Sequence, residues 1–202
     1  MENIIAFLDN AGAIVISITA LIVAFKKAKT ELIPPKVKKQ SNINMDITEL
    51  LEQMKEVFKA DRVQIYDFHN GGHYANGRSA LKCSCTFEVV RTSVQGFFKE
   101  LQGIHLQMIP HFIHELLNRE EMIVNDIEEI KDRMPATYEF KRNQNVGAFY
   151  DIVLKNKQGE PIGFIGIQYL DANSIYVEKS ELLKFKYLIE QNLEKMRWLI
   201  WI

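Results

Sequence analysis

Apolar residues recur along this chain in three patterns, and each predicts a different kind of element. Ile4 to Phe25 reads "IIAFLDNAGAIVISITALIVAF", apolar or small throughout except for Asp9, Asn10, Ser17 and Thr19. As a helix it is roughly 33 Å long at 1.5 Å per residue, enough to cross a bilayer. Ile47, Leu50, Leu51, Met54, Val57 and Phe58 then fall on one helical face, with Asp46 as N-cap and Glu49 three residues on. Strands are predicted over "RVQIYDF" (Arg62 to Phe68), "LKCSCTFEVV" (Leu81 to Val90), "VGAFYDIVL" (Val146 to Leu154) and "PIGFIGIQYL" (Pro161 to Leu170), with a short one in "EMIVND" (Glu121 to Asp126). "KNKQGE" joins the last two long strands as a hairpin with Gly159 in its turn. From Ser93 to Asn118 the pattern is helical or irregular, broken at Pro110. Val177 to Ile202 forms a long terminal helix with the stripe Leu182, Phe185, Ile189, Leu193, Met196 and Ile200.

Strand pairs at both ends with helices between them imply an α+β fold, an antiparallel sheet with flanking helices. Three segments follow: a transmembrane anchor over residues 1–28, a basic and proline-bearing linker over 29–45, and a domain over 46–202. Pro34 and Pro35 are expected to end the first helix. The linker lysines either touch anionic lipid or form a solvated run.

Flanking charge sets the orientation of the anchor. Lys26, Lys27, Lys29, Lys36, Lys38 and Lys39 all follow the apolar run, and no Ala-x-Ala cleavage pattern succeeds it. A retained single-pass anchor in the cell (inner) membrane is expected, N-terminus outside and C-terminal domain cytoplasmic. Within it Ala6, Asn10, Ala13, Ser17, Ala20 and Ala24 are spaced 4, 3, 4, 3, 4, a seam of small and polar residues of the kind that lets membrane helices approach one another. The expected partners are therefore the membrane and further copies of the chain, as a homodimer or higher homo-oligomer. The apolar run Trp198 to Ile202 points the same way. It cannot all face one sheet, so it is expected either in a four-helix bundle with the Ile47 to Phe58 helix and their equivalents in a second subunit, or at the bilayer surface.

A net charge of −1 over 202 residues gives no argument for nucleic acid as a partner. The two cysteines, Cys83 and Cys85, cannot build a disulfide framework and are expected as reduced thiols.

The candidate chemistry gathers in "FHNGGHYANGRSALKCSC" (Phe68 to Cys85), read as a long Gly- and Asn-rich loop between two strands. His69, His73, Cys83 and Cys85 are ligand types that suit zinc, but Gly71 and Gly72 interrupt the His-x3-His pair, and Cys-x-Cys on a strand chelates poorly. A thiolate at Cys83 or Cys85 with His69 as base and Glu88 orienting it lacks a framing motif; no catalytic residue is expected. Two readings remain open. In one, Asn70 to Gly72 and Asn76-Gly77 are two turns of positive φ, and His69 closes the loop. In the other, His69, Asn70, Gly71, Gly72, Tyr74, Asn76, Arg78 and Lys82 line a pocket for a small anionic ligand, with Arg78 and Lys82 supplying charge. His105, His111 and His114 are expected as solvated or capping residues.

"NQNVGAFYDIVLKNKQGEPIGFIGIQYLD" resembles the closing half of a GAF domain, and "EMIVNDIEE" resembles the short strand and Asp-containing turn that precede it there. The resemblance covers about Asp46 to Ile202. It implies a sheet with a ligand cavity between one face and the loops crossing it, and dimerisation through the flanking helices. The Asn-Lys…Phe…Asp-Glu signature of cyclic-nucleotide-binding members is not matched, and neither cysteine stands in the usual context of a bilin-binding one, so no cofactor is named. The His-Asn-Gly-Gly stretch is similar to a subgroup of GAF-like proteins of bacteria and their phages. Together with the anchor, the resemblance implies a membrane-tethered sensory or regulatory module that binds a small ligand, an anion in the pocket reading, and signals through oligomerisation or a protein partner. The alternative is a non-enzymatic interaction or scaffold protein, phage-encoded, with an unused pocket.

Overall fold

The computed structural model describes Leu21 and residues 33–201. The chain divides into two compact units, Met1–Asn42 and Ile43–Ile202. Of the first, the described residues are Leu21, which is helical, and the opening of helix α1 (Ile33–Val57). The predicted membrane span and its seam at Ala6, Asn10, Ala13, Ser17, Ala20 and Ala24 lie outside the described residues. Among those described, no helix is long and apolar enough to cross a membrane.

The second unit is a six-stranded, wholly antiparallel sheet in the order β3-β2-β1-β6-β5-β4. Its strands are β1 (Arg62–His73), β2 (Ser79–Val90), β3 (Ile104–His105), β4 (Glu121–Val124), β5 (Ala148–Lys155) and β6 (Pro161–Tyr169). Helices α2 (Pro110–Arg119) and α3 (Pro135–Arg142) come before β5, and α4 (Lys179–Trp201) follows β6. Alternation along the strands feeds two cores. On one face Val63, Ile65, Tyr150, Ile152, Ile165 and Ile167 pack with Ile47, Leu51, Met54 and Phe58 of α1 and its end, and with Leu182, Ile189 and Leu193 of α4. On the other, Tyr66, Cys83, Cys85, Phe149, Val153 and Phe164 pack with Phe112 and Leu116 of α2 and Tyr138 of α3. With both faces covered, β5 is buried at every position but its last and reads as an apolar run interrupted by Asp151. The predicted α4 stripe is buried at Leu182, Ile189 and Leu193, with Phe185 and Met196 packed beside it; the side chains from Trp198 onward lie outside the described residues.

Two expectations are corrected. The helix predicted to start at Asp46 starts at Ile33, so residues 33–45 are helical, and Asp46 is an exposed mid-helix residue. Pro34 and Pro35 stand in the first turn. There the backbone N–H that proline lacks has no intrahelical partner anyway, so proline starts a helix as readily as it stops one.

The long loop after Phe68 is a hairpin. β1 continues to His73 in register with β2, with His69 opposite Lys82 and Asn70 opposite Leu81. A bulge at Gly72 (φ 102°) is held by the Asn70 Oδ1, which accepts from Gly72 N at 3.1 Å. The turn itself is Tyr74 to Arg78, closed by Tyr74 N to Arg78 O at 2.9 Å, with Gly77 at φ 78°. Both positive-φ positions expected from the glycines are present, but the first bends a strand and does not end it. Pro110 likewise begins α2.

Candidate functional site

The residues proposed from sequence as a pocket lie along the outer half of the β1–β2 hairpin. His69 Nε2 meets Ser84 Oγ at 2.8 Å, and the Lys82 side chain lies across Gly71, where a Cβ would collide with it. Tyr74 OH donates to Gln107 Oε1 at 3.0 Å and accepts from His105 Nδ1 at 3.2 Å. Asn76 Oδ1 accepts from Arg78 N at 3.2 Å and holds the turn, while the Arg78 side chain is exposed. His69 and Lys82 are thus brought together, and Asn70, Gly72 and Asn76 shape the hairpin. Most of the group is exposed at the end of the hairpin.

Enclosure occurs instead on the face beneath α2 and α3. Tyr66, Cys83 and Phe164 of the sheet, Ile104 and Ile109, Phe112, and Thr137, Phe140 and Lys141 of α3 line a pocket of about 10 Å³, room for a single water. Aromatic rings fill most of it. Tyr66 and Phe164 stack at 4.5 Å, and Phe112 meets Phe164 edge-on at 5.7 Å.

Lys141 brings charge to this apolar wall. Its Nζ donates to Asp151 Oδ2 at 3.0 Å and lies 4.2 Å from the Phe149 ring centre. Both members of the pair are almost wholly buried, and Asp151 Oδ1 has no hydrogen-bond partner. Burial raises the Asp151 pKa, with Lys141 opposing the shift.

A second polar system crosses the same face nearer the other end of β1. Arg62 Nη1 donates to Gln168 Oε1 at 2.5 Å, and Gln168 Nε2 donates to Gln64 Oε1 at 2.8 Å, which also accepts from Tyr66 OH at 2.8 Å. Gln64 Nε2 donates to Glu88 Oε1 at 2.7 Å. The Glu88 carboxylate in turn accepts the backbone N–H of Phe97 at 2.9 Å and of Phe98 at 2.9 Å, and Arg62 Nη2 reaches Gln95 O at 2.8 Å. The segment between β2 and β3 is therefore fastened to the sheet through buried side chains.

Sequence reasoning missed Arg62, Gln64, Lys141, Asp151 and Gln168, all buried. The available signal was their setting. Asp151 interrupts "AFYDIVL", a run that is otherwise apolar, and a lone charge there needs a buried counter-ion.

Cys83 and Cys85 are free and buried on this face. Burial pushes the Cys83 thiol up to about 12 and raises Cys85 as well, so neither is a thiolate near neutrality. Among the described residues no group of three or more His, Cys, Asp or Glu is placed to hold a metal.

The sheet order and the helices on both faces define the fold of GAF domains. Similar solved structures are a far-red cyanobacteriochrome photoreceptor (TM-score 0.58, 15% identity, covering 86% of this chain and 96% of that one), the blue-light absorbing form of the Thermosynechococcus elongatus PixJ GAF domain (0.57, 15%, 79% and 88%) and a GAF domain/HD domain protein from Geobacter sulfurreducens (0.56, 12%, 79% and 95%). No protein-family model matches the sequence, and no curated protein matches it.

Proposed function

We propose that this chain is a membrane-tethered, GAF-like sensory or regulatory module whose small-molecule site is the pocket under α2 and α3. The observation that carries the reading is Lys141. Its ammonium has three N–H donors, and Asp151 is its hydrogen-bonding acceptor among the described residues. A cation on the wall of an aromatic pocket, with N–H capacity beyond its one bond to Asp151, suits a ligand with a carboxylate or carbonyl acceptor and a flat apolar body. The room now present is that of one water, so a ligand must displace α2, α3 or Phe140 to enter. That displacement is the signal the module would transmit. Similarity to photoreceptor domains supports a sensory role.

Tethering rests on the Ile4 to Phe25 run and the lysines after it. Self-association rests on the small-residue seam and on α4, whose Leu183, Tyr187 and Leu188 are exposed. Transmission to a protein partner is part of the same reading.

The tightness of the pocket favours a second reading, an interaction protein whose pocket is unused. A thermal-shift screen of the full chain against nucleotides, organic acids and other metabolites separates the two. A ligand present at 100 times its dissociation constant adds ~2.7 kcal/mol. That gain should vanish in the double variant Lys141→Met/Asp151→Leu, which keeps the pocket closed and apolar. A screen with no stabilising compound leaves the scaffold reading.

A further inference from the structure

On the outer side of α2 lies a second hollow, of about 330 Å³, that shares no lining residue with the pocket beneath the sheet. Its floor is Met134, and its walls are His111, His114, Glu115, Arg119 and Arg133. Glu115, mostly buried, is held between two guanidiniums: Arg119 Nη1 meets Oε1 at 2.9 Å, and Arg133 Nη1 meets Oε2. One carboxylate thus stands against two fixed cations, and both of its oxygens are taken. Among the described residues each guanidinium makes this ion pair through Nη1, which leaves Nε and Nη2 as further donors. Asn118 Nδ2 lies 3.0 Å from His114 Nε2. With the amide donating, Nε2 accepts, and the proton sits on Nδ1 as one more donor. The hollow is therefore mostly apolar within, with donors and a net positive charge at its rim around an acceptor that is already used. It falls within the size range of small-molecule sites.

The inventory is more than fastening α2 to the segment before α3 requires. Glu115 with Arg133 does that alone, since those residues come from different elements. Arg119 stands on the same helix as Glu115, and its exposed guanidinium adds charge to the rim without adding a tertiary link.

We propose that this hollow binds a small phosphate-bearing anion, its oxygens taken by Arg119, Arg133 and His114. This does not depend on the function proposed for the inner pocket. Melting of the full chain should be followed with inorganic phosphate, with glycerol 3-phosphate and with chloride at matched ionic strength. Phosphate or its ester should raise the melting temperature where chloride does not. A larger effect of the ester assigns the site to phosphomonoesters, and equal effects assign it to the free ion. Arg119→Ala, which removes a charge-assisted contact from an exposed position, should weaken binding about tenfold or more and leave the ligand-free melt unchanged. Arg142→Ala, an exposed arginine paired with Glu139 outside the hollow, should bind as the parent does. Equal melts in phosphate, ester and chloride would overturn the proposal, as would equal losses in the two arginine variants.

Discussion

Lys141 and Asp151 place opposite charges 3.0 Å apart in an aromatic interior, an arrangement easier to break than to justify by stability. Lys141→Met leaves a buried carboxylate without its cation and should cost ~3–5 kcal/mol in urea unfolding. The double variant Lys141→Met/Asp151→Leu removes both charges and should recover most of that loss. The pair also fixes a pH dependence. The Asp151 carboxyl in the folded chain holds its proton above the ordinary value of 3.8. In the window between the two values the native state binds more protons than the unfolded one, so this group's contribution falls as pH rises through it. Stability curves of parent and double variant should diverge across that window and run parallel at higher pH. The thiols provide a simpler check. With Cys83 and Cys85 buried and their pKa values raised, iodoacetamide should label neither in the native chain at neutral pH and both in urea. Rapid native labelling would show that this face opens.

At the scale of elements, β6 owes its fit to a glycine. A Cβ on Gly163 would collide with the backbone carbonyl of Tyr66 in the neighbouring strand, and backbone cannot step aside as a side chain can. Gly159, in the β5–β6 turn at φ 81°, faces open space. Gly163→Ala should therefore lower the urea midpoint well beyond Gly159→Ala, whose cost is that of a left-handed backbone alone, about 1–2 kcal/mol. The longer strands were legible because strand period and apolar content agree over seven or more residues, and the α4 stripe because Leu182, Ile189 and Leu193 keep helical spacing. Ile104–His105 was not, since two residues carry no period. Pro34 and Pro35 misled because a proline pair marks a boundary without saying which side is helical. The hairpin misled because glycine and asparagine fit a bulge as well as a loop. The candidate site was hidden for a different reason. Polar residues in strands are ordinarily assigned to solvent, and here α2 and α3 cover that face; the buried partners lie far off in sequence for Arg62, whose Nη2 reaches Gln144 O across 82 residues, and close by for Asp151, which meets Lys141 across 10.

At the scale of the whole molecule, part of α4 is left uncovered among the described residues. Leu183, Tyr187 and Leu188 are exposed beside Ser180 and Lys184, around an open hollow of about 420 Å³. If the chain self-associates through this helix, Tyr187→Lys should convert the faster-sedimenting species of the detergent-solubilised full chain to monomer, while Lys157→Ala in the β5–β6 turn should not. Identical sedimentation of parent and Tyr187→Lys would confine any association to other surfaces. A change at Ser17 or Ala13 to Leu tests the proposed membrane seam independently, because bulk there would block helix approach.

The position of β1 has a consequence for synthesis. This strand lies between β2 and β6, and the buried bond from Arg62 to Gln168 spans 106 residues. A ribosome adding ~5–20 residues per second needs about 5–20 s to make the chain between them. Throughout that interval the β6 edge of β1 has no strand to pair with, and the α1 face of the first hairpin lacks β6 and α4. The nascent chain is therefore most open to chaperones, and to pairing with a neighbour on the same message, between the emergence of Val90 and that of Tyr169. Pausing within that stretch should raise aggregation, and the same pause placed beyond β6 should not.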